Sequence, residues 1–370
     1  MKVVHITTVH PPFDTRIFYK QAKTLVRAGY EVSLIAQHTR SEVIDGVRII
    51  ALPRSRNRFV RIFGLTWLAF QQALRERADV YHFHDPEILP IGVLLKIFTQ
   101  AKVIYDVHED VPEDILTKYW IPVPLRSPLA MVFNFFEKKL ARILDTVIVA
   151  TEEIAARFVQ FEPVIIHNYP DLKMFPDPPT RHKGGKENAF VYVGGISKLR
   201  GAIEMVRALE YLDPNRDVWL YLIGEVEPPE LGRELQALPG YKRVRFWGWL
   251  PWKRAWQQAR KAIAGLVLFH PGPNHTMSLP NKLFEYMASG LPVVASNFPL
   301  WKKIVEGNRC GVIVDPLNPK AIAEAMEYLL THSEEAHQMG ENGRRAVEER
   351  HNWEREGEKL LRLYEELLSQ

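Results

Sequence analysis

The sequence predicts an α/β protein made of two doubly wound, mainly parallel sheets. Three observations carry that expectation. Short β-branched runs alternate with longer amphipathic segments through the first half of the chain. A stretch dense in Pro, Gly and charge, "YPDLKMFPDPPTRHKGGKENA" (Tyr169 to Ala189), then breaks the pattern, and beyond it the same alternation restarts. Strands alternating with helices imply parallel βαβ units, and 370 residues suit two domains better than one core.

Taken in order, the first-half strands are "KVVHITT", "EVSLIA", "VRIIAL", "VYHFH", "KVIYDV", "TVIVA" and "VIIHN". Between them, "TRIFYKQAKTLVRA" has helical periodicity and stops at Gly29, a C-cap residue. The segment "TEEIAARF" begins at a Thr suited to N-capping. In the second half, "FVYVGG", "VWLYLIG", "VRFWGW", "GLVLFH", "PVVAS" and "GVIV" read as strands. Helical patterns such as "GAIEMVRALEYL", "WKRAWQQARKA" and "PKAIAEAMEYLLT" separate them, and the tail "NWEREGEKLLRLYEELL" is an amphipathic helix with salt-bridge spacing. The domain expectation is therefore residues 1–170, a linker at 171–188, a second domain at 189–350, and a C-terminal helix at 351–370 that crosses back to the first domain.

Composition narrows the class. Hydrophobic content of 46% and charged content of 25% are those of a soluble globular chain. A formal charge of +4 suits anionic ligands or lipid headgroups and is too small to argue for nucleic acid. The single cysteine, Cys310, allows no intrachain disulfide and fits a reducing cytosol, where packing is its simplest role. Charged residues come too early in "MKVVHITTVHPPFDTR" for a signal peptide, and no apolar run is long enough for a transmembrane helix.

In open α/β sheets ligands bind beyond the carboxyl ends of the strands. In "SLPNKLFEYMASGLPVVAS" (Ser278 to Ser296), Pro280 is placed for the first turn of a helix that Gly290 closes. The free N–H groups at that helix start form an anion site. Lys282 adds a charge for a phosphate, and Glu285, three residues on, lies on the same face, where a ribose diol could satisfy it. The plainer alternative is an exposed ion pair worth less than ~1 kcal/mol. The segment "FVYVGGISKLRGAIEMV" points the same way. Gly194 and Gly195 let a ligand approach the backbone, and Lys198 and Arg200 stand just before a helix start, or else form a solvated basic turn.

Together these segments resemble the retaining GT-B glycosyltransferases of family 4, of the group 1 type. The likeness spans nearly the whole chain: "HPPFDTRIFYKQAKTLVRAGYEV", "YDVHED", "VIIHNYPD", "YVGGISKLRG" and, most specific, "SLPNKLFEYMASGLPVVAS". It implies two Rossmann-like domains facing across a cleft, acceptor on the first and nucleotide sugar on the second. The resemblance assigns Glu285, the second acid of an E-x7-E motif, to the donor ribose and Arg200, before Gly201, to the diphosphate. His108, at the end of "KVIYDVH", matches the histidine that family members place beside the reacting centre. Asn168 and Asp171 match a turn that opens the linker. Glu285 and His108 are accordingly the expected catalytic positions, with Gly194, Gly195, Arg200, Asn281, Lys282 and Ser278 binding the donor.

Departures from the pattern matter. Met277 stands where the first acid of E-x7-E belongs, so His275, Ser278 or Asn281 would hold the sugar. Gly195 replaces the usual Arg, a charge that Lys282 would restore. The first loop reads "HPPFDTR", with Asp14 and Arg16 either at the cleft or in a helix-capping ion pair. His82, His84, Asp85, His108 and Asp110 have the residue types of a metal site. The resemblance nonetheless implies a transferase with no bound metal and no cofactor beyond the nucleotide diphosphate sugar. Two segments, "RSRNRFVRIFGLTWLAFQQALRER" and "TKYWIPVPLRSPLAMVFNFFEKKLAR", mix basic and aromatic residues as a helix in a bilayer interface would, or as a core-facing helix would. The reading is a cytoplasmic retaining hexosyltransferase of glycan, lipid-linked or small-molecule acceptors, in peripheral contact with the inner face of the membrane. A GT-B nucleotide-sugar epimerase and a catalytically degenerate nucleotide-binding homologue are the alternatives. Base, sugar, acceptor and oligomeric state are not specified by the residues.

Overall fold

The computed structural model describes residues 1–55, 57–117, 121–175 and 187–369. Two compact units divide the chain: Met1–Asn168 with Trp353–Gln370, and Tyr169–Asn352. Most of the expected linker, residues 176–186, lies outside the described residues.

The first unit holds an eight-stranded sheet in the order β3-β4-β2-β1-β5-β6-β7-β8. Its strands are β1 (Lys2–Ile6), β2 (Glu31–Gln37), β3 (Glu42–Ile44), β4 (Val47–Leu52), β5 (Val80–Phe83), β6 (Lys102–Val107), β7 (Thr146–Val149) and β8 (Val164–Ile165). All seven expected strands form. The eighth, β3, is a hairpin partner of β4 and gives the one antiparallel pairing of this sheet among the described residues. Asp45 and Gly46, at φ 51° and 82°, make the two-residue turn between them, a geometry that Asp-Gly favours because both central residues need positive φ. Both faces are covered, so the central strands β1, β2, β5 and β6 are buried along nearly their whole length. Helices Thr66–Glu76, Leu89–Phe98 and Val123–Ala141 lie on one side, the second and third adjoining in turn. On the other side, Ile17, Phe18 and Leu25 share a core with Trp353, Leu360 and Tyr364 of the C-terminal helix Trp353–Ser369. That helix thus belongs to the first unit, as expected from the sequence.

The second unit carries a six-stranded parallel sheet in the order β11-β10-β9-β12-β13-β14. These strands are β9 (Ala189–Val193), β10 (Trp219–Ile223), β11 (Val244–Gly248), β12 (Ala264–Val267), β13 (Val293–Ser296) and β14 (Gly311–Val314). Each sheet reverses its winding once, between β1 and β5 in the first unit and between β9 and β12 in the second. Such switch points open a crevice at the strand ends. Cys310 is buried, and burial pushes its thiol up to about 12, so it packs and does not react.

Candidate functional site

The second unit's switch point gathers most of the residues singled out as donor-binding. Strand β9 ends in Gly194 and Gly195, followed by a single turn Lys198–Arg200 and the helix Ala202–Ala208. Gly194 has φ 128°, and Gly224 packs so closely that a Cβ there would stand 2.0 Å from the Gly194 carbonyl oxygen. Gly201, at φ 73°, lets the chain turn into its helix; a Cβ here would fall 2.1 Å from the Leu268 carbonyl oxygen after β12. Two backbone approaches that exclude side chains therefore fix the Gly-Gly turn.

Arg200 folds back, donating to the Gly195 carbonyl at 3.1 Å, with its guanidinium 5.8 Å from the Phe269 ring. A side chain at 195 would meet that guanidinium at 2.8 Å, so Arg200 would have to shift to admit one. From the first turn of the Asn281–Ala288 helix, between β12 and β13, comes Lys282, whose Nζ lies 5.0 Å from the Tyr192 ring and 4.9 Å from the Phe269 ring. Its Nζ would also touch a Cβ on Gly194 at 3.3 Å. Burial first, then the Arg200 charge, lower the Lys282 ammonium to about 7, with Glu285 opposing. Two cations converging on one glycine turn is an arrangement that an anion would relieve.

The Asn281–Ala288 helix begins one residue after Pro280, which sits at the N-cap with ψ 128°, just outside the first turn assigned to it from sequence. Glu285 lies one turn inside, on the side of Lys282. His275 accepts a place in the same group: its Nδ1 bonds the His270 carbonyl at 3.0 Å, and burial lowers its basicity, with Arg200 and Lys282 adding to the effect. Ser278 donates to the His275 carbonyl at 3.1 Å, and Trp301 Nε1 fixes the Ser278 carbonyl at 2.6 Å. Asn281 and Met277 are exposed. Lys198 points away, pairing with Glu234 at 2.6 Å on the surface.

The first unit's switch point is occupied by histidines. His5 of β1, His82 of β5 and His84 just beyond it are all buried, with ring centroids 4.6 to 5.2 Å apart. Asp106 of β6 lies beside them, 3.6 Å from His82 Nε2 and 3.3 Å from His84 Nδ1. Burial alone would raise the Asp106 carboxyl, but the Arg16 guanidinium, bonding both oxygens at 3.0 and 2.8 Å, holds it well below the usual range. Gln21 donates to it as well, at 2.7 Å. Burial keeps His5, His82 and His84 neutral. Arg16 is thus a core ion-pair partner and Asp14 a helix cap, accepting from the Arg16 and Ile17 amides at 2.8 and 2.9 Å. Of the two roles expected for them, the helix cap forms at Asp14, while the ion pair of Arg16 is with Asp106 instead of Asp14.

His108 follows β6. Its Nε2 is 3.0 Å from Nε2 of His10, within hydrogen-bond reach, and burial lowers it to about 4. His10 in turn lies 3.4 Å from Asp85, which accepts from the Thr7 hydroxyl and the Thr8 and Val9 amides. Two groups, His5–His82–His84 and His84–Asp106–His108, bring potential metal-ligand atoms within 4.8 Å of one another. Charge argues for a hydrogen-bonded network instead, since the one carboxylate in these groups is already matched by Arg16. Asp110 is elsewhere, paired with Arg157 at 3.0 Å, so the five-residue metal set read from the sequence does not assemble. His5 and His10 were overlooked in that reading, although "HITTVH" carries both on a strand and its exit loop. Asn168 and Asp171 are structural, as expected: Asn168 binds Lys20 at 2.6 Å and Asp171 caps a short turn at the Lys173 amide.

Comparisons with known proteins bear on the family and the fold. Residues 177–346 match the family described as glycosyl transferases group 1, and residues 15–165 match the glycosyl transferase 4-like domain. A curated relative, the MMP α-(1→4)-mannosyltransferase of Mycolicibacterium hassiacum, is 24% identical over 311 residues, 79% of this chain and 72% of its own. Among solved structures, sucrose-phosphate synthase from Thermosynechococcus elongatus aligns over 100% of this chain and 99% of its own with a TM-score of 0.76 at 20% identity. Anabaena Alr3699/HepE in complex with UDP-glucose covers 99% of this chain and 100% of its own, with a TM-score of 0.72 at 16% identity. At those identities the structural likeness establishes the GT-B fold.

Proposed function

We propose that the chain, which has the GT-B fold, is a glycosyltransferase of the group 1 family and that it moves a hexosyl residue from a nucleotide diphosphate sugar to a hydroxyl acceptor, with retention of anomeric configuration. The observation that carries this reading is the convergence of Arg200 and Lys282 on the Gly194–Gly195 turn. In it, residues 189–350 bind the donor and residues 1–170 the acceptor. The diphosphate lies against the two cations and the N-terminus of the Asn281–Ala288 helix, while Glu285 accepts both hydroxyls of the ribose. His275, Ser278 and Asn281 hold the sugar in place of the acid that Met277 displaces.

As the bond from the anomeric carbon to the phosphate oxygen breaks, negative charge grows on the leaving diphosphate. Arg200 and Lys282 stabilise that charge more than they stabilise the intact donor, which is what accelerates the step. They also provide the positive charge for which a metal would otherwise be needed. The acceptor hydroxyl attacks from the face the leaving group vacates, and its proton passes to the departing phosphate oxygen. His108 stays neutral near pH 7 because burial lowers it to about 4; it hydrogen-bonds a hydroxyl without adding charge. The enzyme is read as cytoplasmic, with peripheral membrane contact.

Replacing Glu285 or Lys282 by Ala is expected to weaken nucleotide binding by about 1–3 kcal/mol each, the range for a lost charged hydrogen bond. Unchanged affinity in both variants would remove the donor assignment. For His108→Ala, turnover should be lost while calorimetric nucleotide affinity stays at the wild-type value. Near-normal turnover would take His108 out of the mechanism.

A further inference from the structure

A cavity of about 390 Å³ opens in the first unit at its switch point, over His10, Asp85 and His108. Two helical segments form much of its wall, with Glu87 and Glu109 also lining it. One contributes Arg58, Arg61 and Ile62; the other, Val111–Thr117, contributes Val111, Asp114 and Ile115. Arg61 is held in the wall by a two-oxygen bond to Glu87, at 2.9 and 3.0 Å.

Both walls continue into apolar surface. Beyond Arg58 and Arg61 the same segment exposes Phe59, Phe63 and Trp67, and the Val111–Thr117 helix packs against Val123–Ala141, which exposes Met131, Phe135 and Phe136. These six side chains are between 51% (Trp67) and 75% (Phe59) accessible. Thr66–Glu76 and Val123–Ala141 both pack on Leu89–Phe98, so they belong to one helical layer, and that helix ends in exposed Ile97 and Phe98. Soluble chains seldom leave so many large apolar residues uncovered on adjoining helices.

The charge on the two aromatic segments has one sign, while the cavity between them also carries Glu87, Glu109 and Asp114. Residues 54–77 contain six arginines and a single acid, Glu76, which is tied to Arg48 and Lys2. Residues 121–142 contain Arg126, Lys138, Lys139 and Arg142 against Glu137, which is buried and bonded to Arg157 and Tyr105. On those two segments, aromatic side chains ringed by Lys and Arg, with their acids Glu76 and Glu137 withdrawn into ion pairs, match an anionic bilayer interface. A protein partner of ordinary composition would call for no such one-sided charge.

We propose that this helical layer docks the chain on an anionic lipid bilayer, and that the adjoining cavity receives the hydroxylated head of an acceptor whose lipid tail stays in that bilayer. The docking stands by itself; the acceptor class rests on the glycosyltransferase reading above. Co-sedimentation with vesicles of equal phosphatidylglycerol and phosphatidylcholine tests the first part, with pure phosphatidylcholine vesicles and high salt as comparisons. Wild-type protein should bind the anionic vesicles roughly tenfold or more tightly than the neutral ones, and salt should weaken that binding. The pairs Phe63→Ser/Trp67→Ser and Phe135→Ser/Phe136→Ser should each reduce it about tenfold. Because these side chains are exposed, thermal unfolding and nucleotide titration of both pairs should match wild type. Trp249→Ser, an exposed site in the second unit, should leave vesicle binding unchanged.

Absence of vesicle binding, or binding indifferent to both pairs, overturns the docking surface. So does a dimer in sedimentation velocity that both pairs abolish while vesicles go unbound, which would make a second copy the occupant. Failure of wild-type protein to bind any nucleotide would overturn the transferase reading and leave the vesicle result standing. For the acceptor, transfer to a polyprenyl-linked saccharide in vesicles should exceed transfer to the same saccharide in solution by roughly tenfold, and equal rates would contradict it.

Discussion

Lys282 shows how a single side chain reports on ligand chemistry before any ligand is bound. Its ammonium lies over two aromatic rings beside Arg200, and burial followed by the Arg200 charge brings it to about 7. A diphosphate placed against both cations would reverse the second cause and raise Lys282 towards its ordinary value. Between about pH 7 and that raised value the bound protein holds more protons than the free one. Binding must therefore take up a proton, and affinity must fall as pH rises through the window. Nucleotide binding enthalpies measured at pH 8 in buffers of different ionisation enthalpy should show net proton uptake, and Lys282→Met should abolish it. Zero uptake in the wild-type protein would separate Lys282 from the phosphate. His108 behaves oppositely: lowered to about 4, it stays neutral through this range and should add nothing to the uptake.

At the scale of elements, the Gly201 turn sets the geometry of Arg200. Gly201→Ala would have to place a Cβ 2.1 Å from the Leu268 carbonyl oxygen at a φ of 73°. A cost of about 1–3 kcal/mol in unfolding free energy is expected, together with weaker nucleotide binding, measured by denaturation and calorimetry; full stability would show that the turn relaxes freely. The same elements show what was legible in the sequence. Strand runs and the capping Gly29 and Thr151 announced their elements because period and cap chemistry are local signals. Thr151 Oγ1 does accept from the Ile154 amide, at 3.3 Å. The β3 hairpin escaped although Asp45-Gly46 marks it, because three-residue strands are too short to show alternation. Side-chain partnerships were less legible. The Arg16–Asp106 pair joins residues 90 apart, and nothing near Arg16 names its partner. Tyr192 and Phe269, which seat Lys282, read as ordinary strand residues until β9 and β12 are known to be neighbours.

For the whole molecule, the recurring device is a parallel sheet that reverses its winding once, with polar groups gathered where it does. In the first unit those groups are buried histidines around Asp106, fronted by His10 and His108; in the second they are Arg200, Lys282 and Glu285. The C-terminal helix closes the first unit from the far end of the chain. Its Tyr364 hydroxyl bonds His82 at 2.8 Å, and its Trp353 Nε1 bonds Thr24 at 2.9 Å. In the proposed reading the nucleotide lies on the second unit, and its second phosphate is the feature that reading leans on most. Calorimetric titration with nucleoside diphosphates and their own monophosphates tests that assignment most directly. The account predicts that at least one diphosphate binds roughly tenfold or more tightly than the matching monophosphate, since Arg200 and Lys282 face the extra charge. Equal affinity for the two, or no binding of any nucleotide, would contradict it.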